Sequence, residues 1–591
     1  MADRVKYAEV FADWLVDLGY THCFFVAGGN IMHLLDGVRT RMTCIPTVHE
    51  VAAGLAAEAY NATSSNGRAF ALVTAGPGLT NITTAMASAY LDRRELLVVG
   101  GQVKSSDLAT GGLRQRGIQE IDGIALSAPV CVATLRVEQP VDRSAIEHVI
   151  AAGAGSDPGP VFIEMCLDAQ GAPVLPSDLT GDAPSGGREV GDVDAAVADI
   201  VARILAAERP VLLIGGAVTR QVAYSCLDQL EALGIPVMTT WTGIDRIPSE
   251  CAVYAGRPDT WGQRAPNLAI AQSDLVVAIG ARLGLQETGF NWQEFGRGGD
   301  VVQVYPDAAE LKKGHPTTTA AYCADASAVL RGICDRASWN DTLGWPAYVQ
   351  RVRELLPVIE PENSTRSGFV CPYHFAGALS DLATSDDAIV ICSSGGANSV
   401  PMQVFQVKNG QTVVVDSGLA SMGVGLGHAI GAAYGNPGHR VLHIEGDGGF
   451  CQNLQELAIV DVNRLPIKMI IWANDGYGSI RTTQRNYFGG AYLGCDTGTG
   501  LGFPHWEKLF DAFNIPVTVL GDQGLDNPAA TAGLASDGPH AFIVPIDPEQ
   551  SYWPKITSRV TETGSMESNP LYSMSPDIPE DIASEVTKYL L

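Results

Sequence analysis

Hydrophobic residues fall along this chain in short unbroken runs, each ending at glycine and polar residues. Phe24-Phe25-Val26 leads into Ala27-Gly28-Gly29, Phe70 to Val73 into Thr74-Ala75-Gly76-Pro77-Gly78, and Leu96 to Val99 into Gly100-Gly101-Gln102. Such runs read as strands buried on both faces, the pattern of a parallel sheet. Stretches of helical period lie between them. Val5, Val10, Phe11, Trp14, Leu15 and Leu18 form one, and Ala52 to Tyr60 form another, rich in small residues suited to close helix packing. Strand and helix alternate in this way to about Glu164, which predicts an α/β unit.

The pattern restarts twice. Val211 to Ile214 runs to Gly215-Gly216, Val237-Met238 to Thr239-Thr240-Trp241, Leu275 to Ile279 to Gly280-Ala281-Arg282, and Val301 to Val304 to Tyr305-Pro306-Asp307. Later, Ala388 to Cys392 runs to Ser393-Ser394-Gly395-Gly396-Ala397, and Val413 to Val415 to Asp416-Ser417-Gly418. The expected architecture is α/β, with three doubly wound parallel-sheet domains at 1–172, 191–342 and 371–545. Linkers are expected at 173–190, which is rich in Pro and Gly, and at 343–370. The stretch 546–591 is polar and proline-rich, and reads as a tail that wraps over the rest without a core of its own.

Composition narrows the function more than the fold. A chain of 591 residues exceeds one core. A formal charge of −27 argues against nucleic acid or an anionic membrane as partner, since both demand basic surface. Twelve Cys without a Cys-x-x-Cys pair suggest reduced thiols, with neither a disulfide framework nor a zinc site. No apolar run reaches the ~18 residues of a membrane span, and the N-terminus lacks an apolar signal core. A cytoplasmic protein acting on small molecules is expected.

The candidate chemistry centres on Gly446-Asp447-Gly448-Gly449 and Asn474-Asp475-Gly476-Tyr477-Gly478. Val441 to Ile444 and Ile467 to Trp472 read as parallel strands that place Asp447 and Asn474 on loops at their carboxyl ends, where open α/β sheets bind ligands. A carboxylate and a carboxamide beside glycines suit a hard cation such as Mg²⁺, which commonly brings phosphate oxygens as partners. A glycine-rich turn of this kind is also compatible with an ordinary βα connection.

The spacing from Gly-Asp-Gly to the Asn, with a helix and a strand between, resembles the thiamine diphosphate binding motif. The resemblance extends over essentially the whole chain and is closest to the acetolactate synthase branch of thiamine diphosphate enzymes. It is carried by Ala27-Gly28-Gly29, Val48-His49-Glu50, Ala75-Gly76-Pro77-Gly78-x-x-Asn81, Gly100-Gly101-Gln102-Val103 and Ile118-Gln119-Glu120. It implies pyrimidine-binding, central and diphosphate-binding domains. Mg²⁺ would be held by Asp447, Asn474 and the Gly476 carbonyl, with Gly446, Gly448, Gly449, Tyr477, Gly478 and Ser479 around the cofactor. Glu50 would activate thiamine diphosphate through the aminopyrimidine ring nitrogen. Gly28, Gly29, Pro77 and Asn81 would contact the cofactor, and Pro77, Asn81 and Gln119 would line the reacting face, with Gln119 a second catalytic residue. Met422 would wedge the bent cofactor, and Ala420 would offer its carbonyl to the 4′-amino group. Gly395, Gly396 and Ala397 would meet the diphosphate, although the branch usually has Gln-His where Gly396-Ala397 stand. The resemblance also implies FAD in the central domain, touching Gly215, Gly216, Thr240, Trp241, Gly280, Arg282 and Asp325.

For the reaction, the resemblance implies decarboxylation of a 2-keto acid such as pyruvate. The chain lacks the His-His pair of pyruvate-type decarboxylases and has the glutamate that glyoxylate carboligase lacks. A carboligase is therefore expected. Gln286 and Thr483 stand where acetolactate synthases carry the Arg and Trp that hold a second keto acid. An acceptor without a carboxylate, such as a ketone or a nucleotide-linked keto-deoxysugar, is the expected partner of pyruvate, with Arg114, Arg116 and Arg481 as candidates for its phosphates. Acetolactate synthase proper, a flavin-dependent 2-keto acid oxidase or decarboxylase, and a non-catalytic cofactor-binding relative are the alternatives. A homodimer or homotetramer with active sites shared between subunits is also implied.

Overall fold

The computed structural model describes residues 4–181, 191–560 and 566–590. It contains three six-stranded sheets whose described pairings are all parallel. The first runs in space Thr43–Pro46, Tyr20–Phe25, Arg68–Val73, Leu96–Gln102, Pro160–Cys166, Ala133–Val137, which is 2-1-3-4-6-5 along the chain. The third repeats that order with Thr412–Val415, Ala388–Ile391, Val441–Gly446, Ile467–Ala473, His540–Pro545 and Val517–Val519. The central sheet is different. Its order, Tyr254–Gly256, Val237–Thr239, Pro210–Ile214, Leu275–Ile279, Asp300–Tyr305, Ala320–Cys323, is the 3-2-1-4-5-6 arrangement of dinucleotide-binding folds.

Each order contains one place where the chain leaves neighbouring strands in opposite directions, opening a crevice at their carboxyl ends. In the first sheet it lies between Tyr20–Phe25 and Arg68–Val73, in the third between Ala388–Ile391 and Val441–Gly446, and in the central one between Pro210–Ile214 and Leu275–Ile279. The glycine turns seen in the sequence open from these strand pairs.

The first and third domains meet through two helices, Glu50–Thr63 and Val424–Gly435. A Cβ on Gly427 would touch Leu55 and Ala52, one on Gly431 would strike the Ala56 carbonyl, and one on Gly435 would meet Thr63 and Tyr60. The contacts advance together, so the helices run parallel with their N-termini side by side. Ala53, Leu55, Ala56, Ala429 and Ile430 share one core across the junction.

Three segments outside the sheets show how the domains are joined. Pro173–Val174 pairs antiparallel with Val5–Lys6, which ties the start of the expected first linker to the first domain; residues 182–190 lie outside the described residues. The expected second linker contains the helix Trp345–Leu355, with Trp345 fully buried and its indole donating to the Pro210 carbonyl at 2.9 Å. Pro346 at the start of that helix initiates it instead of breaking it. The last part of the chain packs on the central domain: Leu571 and Val586 are buried against it, and Arg264 donates to the carbonyls of Met574 and Pro576 at 3.1 and 2.8 Å. Among the described residues no helix is long and apolar enough to cross a membrane.

Candidate active site

Strand Val441–Gly446 delivers Asp447 to the first turn of a short helix, Asp447–Phe450, instead of an open loop. Its carboxylate is 2 % exposed and accepts from the backbone N–H groups of Gly448 at 2.7 Å and Asn474 at 2.9 Å. The Asn474 carboxamide lies 2.6 Å from the Gly476 carbonyl oxygen and 3.2 Å from Asp447 Oδ1, and with its nitrogen on that side it donates to both, which ties the two loops together. Turned over, it presents its oxygen beside theirs, and a carboxylate, a carboxamide oxygen and a carbonyl are the donor set that a hard cation such as Mg²⁺ takes. Burial pushes the Asp447 carboxyl up to about 7 against the pull of its backbone donors, a cost that a cation would remove. Asp447, Asn474 and Gly476 therefore fit the metal-binding role.

The neighbours supply a phosphate cradle. Gly395 sits at φ +75°, ahead of the helix Gly396–Val404, which begins at Gly396-Ala397 without a side-chain cap. Its first N–H groups are left for an anion. The Ser479 hydroxyl faces Gly395, and the glycine at 448 lets the Tyr477 ring and the Met422 methyl close over it. Space beside Gly446 is open, whereas Gly449 packs on Glu445 and Gly478 on the Asn474 amide. Arg481 is a correction. It is 4 % exposed and donates to the carbonyls of Asn474, Asp475 and Pro548 at 3.3, 3.2 and 3.0 Å, so it staples the Asn474 loop and does not face a substrate. Arg114 and Arg116 are exposed.

Glu50 opens the helix Glu50–Thr63, is 8 % exposed, and accepts from Asn81 Nδ2 at 2.9 Å. The backbone N–H groups of Val48 and His49 donate to Glu456 of the third domain at 3.1 and 2.9 Å, which fixes the entry to that helix. Gly76, at φ +65°, leaves room for the Gln119 carbonyl, and Pro77 follows it at the start of Pro77–Asp92. Gln119 itself is left-handed at φ +61° and exposed. Gly28 packs on Thr74, on the neighbouring strand's turn, and Gly29 opens the next short helix. The structure thus gathers Glu50, Asn81, Pro77 and Gln119 at one end of the first sheet.

The loop carrying Ala420 and Met422 is held by groups that sequence reading did not single out. Asp416, fully buried, accepts from the N–H groups of Leu419, Ala420 and Ser421, each at 3.3 Å, and Ala420 is left-handed at φ +54°. From the first domain, Asp92 accepts from Ser417 and Gly418 N–H at 3.0 and 2.7 Å, and Arg94 reaches the Val415 carbonyl and pairs with buried Glu58 at 2.9 Å. His428 lies 3.5 Å from the other Glu58 oxygen. Burial, opposed by Arg94 and reinforced by Asp416, pushes the Asp92 carboxyl up to about 6. The only signal in the sequence was that several charged residues flank strands.

Between the three domains lies a cleft of about 790 Å³. Gly216, Trp241, Gly280, Arg282 and Asp325 line it, together with Asp92, Arg94, Ser417 and Gly418. Gly215 and Thr240 do not. Gly215 packs against the Gly280–Ala281 backbone, and the Thr240 hydroxyl accepts from Gly243 N–H within the turn. Asp325 also caps the helix Ala326–Arg336. Two buried polar atoms of residues on the cleft wall, Trp241 Nε1 and Ser417 Oγ, have no partner among the described residues. A polar ligand satisfies such groups, and a dinucleotide fits both the strand order and the cleft size.

A metal-ready loop facing an uncapped helix start, with a glutamate at the matching end of a second sheet, defines a thiamine diphosphate enzyme. Family models described as the thiamine pyrophosphate enzyme N-terminal TPP binding domain, central domain and C-terminal TPP binding domain match residues 5–126, 197–333 and 394–544. The chain belongs to the thiamine pyrophosphate enzyme family. It is 29 % identical over 576 residues to probable acetolactate synthase 2, chloroplastic, of Oryza sativa subsp. japonica, covering 94 % of this chain and 85 % of that one. It is also 28 % identical over 572 residues to the acetolactate synthase isozyme 2 large subunit of Escherichia coli (strain K12), covering 94 % and 99 %. With the isozyme 1 large subunit of the same strain it shares 26 % over 575 residues, covering 95 % and 97 %.

Proposed function

We propose that this protein is a carboligase that decarboxylates pyruvate and transfers the two-carbon acetyl unit to a ketone or keto-deoxysugar. Thiamine diphosphate, held through Mg²⁺ by Asp447, Asn474 and Gly476, supplies the carbanion chemistry at its thiazolium ring. Glu50 exchanges a proton with the aminopyrimidine ring, and Asn81 orients the Glu50 carboxylate. The Asp416 turn directs the Ala420 carbonyl. Gln119 and Pro77 border the space in which the substrates meet.

The observation that carries the acceptor assignment is Thr483. It is exposed on the helix Gly478–Tyr487, and its short side chain folds back to the Ser479 carbonyl at 3.0 Å. With Gln286 also unable to pair bidentately with a carboxylate, a second keto acid has no anchor at either position. One cation supports a phosphate-bearing acceptor: the Lys555 ammonium lies 5.1 Å from the Trp261 ring centre and 4.8 Å from that of Trp553, whereas Arg485, one turn beyond Arg481, is paired with Glu549. The test is to incubate the purified enzyme with pyruvate alone and with a nucleotide-linked keto-deoxysugar. Pyruvate consumption that depends on the sugar is expected. Rapid acetolactate formation undiminished by the sugar overturns the proposal and returns acetolactate synthase proper.

The proposal includes FAD in the central cleft in a structural role. Oxygen uptake or flavin bleaching driven by pyruvate would indicate the oxidase instead. It also includes a cytoplasmic location, the domain division given from sequence, and a homodimer or homotetramer. Ile118, 87 % exposed beside Gln119, is the kind of apolar side chain a second copy would cover.

A further inference from the structure

Gly396 has no side chain, although it is the first residue of a helix whose free N–H groups face the diphosphate site. The space beside it is filled. A Cβ on Gly396 would overlap Cζ, Cε1 and the hydroxyl oxygen of Tyr552, which arrives from the tail more than 150 residues later in the chain. We propose that Tyr552 binds the diphosphate of the cofactor, its ring standing where a larger residue at 396 would project and its hydroxyl donating to a phosphate oxygen.

Four observations support this placement. The Tyr552 ring is held in position: it packs on the core that contains Ala397 and Phe405, and the following residue, Trp553, donates its N–H to the Tyr373 hydroxyl at 2.8 Å. The preceding stretch is anchored as well, since Gln550 donates to the Ser364 carbonyl at 3.0 Å and Asp547 pairs with Arg366. Among the described residues the Tyr552 hydroxyl has no hydrogen-bond partner, so its proton is available for a ligand. Finally, the phenol lies close enough to Asp447 to feel its charge; burial first, and that charge second, raise its pKa, so it remains a donor throughout the physiological range. Tyr552, Ser479 and the start of the helix Gly396–Val404 then surround one anion from three separate parts of the chain. The inference rests on the family assignment alone and is independent of which acceptor is used.

Tyr552→Phe keeps the ring and removes the donor. The expected result by equilibrium dialysis at saturating Mg²⁺ is about tenfold weaker binding of thiamine diphosphate, the loss typical of one hydrogen bond to a charged group. Magnesium pyrophosphate, used as a competing probe, should weaken by a similar factor because it carries only the diphosphate portion. The thermal midpoint of the cofactor-free protein should not move. In a second arm, Gly396→Gln alone should bind the cofactor worse than wild type, because the new side chain collides with the ring. Combining it with Tyr552→Ala should bind better than Tyr552→Ala alone, because the amide then takes over the donor's place. Affinities for both probes within about twofold of wild type in Tyr552→Phe overturn the proposal. So does a loss confined to thiamine diphosphate with pyrophosphate unaffected, and so does a double variant no better than Tyr552→Ala.

Discussion

Glu50 has one side-chain partner among the described residues, Asn81, and a helix entry fixed from the third domain by Glu456. That arrangement orients a proton-exchanging group without making it part of the cofactor's anchorage. Glu50→Gln should therefore lower kcat by about two orders of magnitude or more while leaving thiamine diphosphate affinity within a few-fold, as binding and steady-state assays on the same preparation would show. Residues of this kind were legible in the sequence because they sit in local motifs: Asp447 with its glycines, Asn474 after a strand, Glu50 at a helix start. Arg481 was misread as a substrate contact because its role depends on carbonyls it meets only after folding. Tyr552 and Asp92 were missed for a related reason, since nothing near either of them in the chain marks the loop it touches.

Among the elements, the central strands and their glycine-ended turns followed from hydrophobic runs, with observed bounds within a few residues of that reading, whereas the shorter, less apolar strands Ala133–Val137, Tyr254–Gly256, Ala320–Cys323 and Val517–Val519 towards the sheet edges were not read. The helix Trp345–Leu355 was lost inside an expected linker because a proline near its start reads like a break. The pairing of Glu50–Thr63 with Val424–Gly435 was hinted at only by small residues. It leads to a sharp expectation. In an ordinary helix interior Gly→Ala is favourable by roughly 1 kcal/mol, but a Cβ at Gly431 meets the Ala56 backbone carbonyl, which cannot step aside. Gly431→Ala should cost about 1–3 kcal/mol and lower the thermal midpoint. Gly377→Ala, whose Cβ would face the Ile359 methyl tip at 3.3 Å and a Val404 methyl at 3.6 Å, should be neutral or stabilising in the same experiment.

At the scale of the whole molecule, three domains converge on one charged junction. The Asp92 side chain is 2 % exposed there, and its pKa is raised from 3.8 to about 6. The folded protein thus holds the proton more tightly than the unfolded chain. The associated stability is present in full below pH ~4 and is lost as pH rises through ~6, amounting to at most about 3 kcal/mol. Asp92→Asn has no proton to release. Its unfolding midpoint in urea, compared with wild type between pH 4 and 6.5, should show less decline with rising pH; parallel curves would reject the assignment. Charge pairs such as Arg94–Glu58 bridge positions far apart in the chain, so composition reported only their sum.

The Tyr552 ring and a large side chain at 396 are mutually exclusive. Any side chain introduced at 396 has to displace the tyrosine from where it lies, so the glycine and the ring act as one unit drawn from distant parts of the chain. A graft of the Gly396 turn into another scaffold, without the segment that carries Tyr552, transfers only half of that unit.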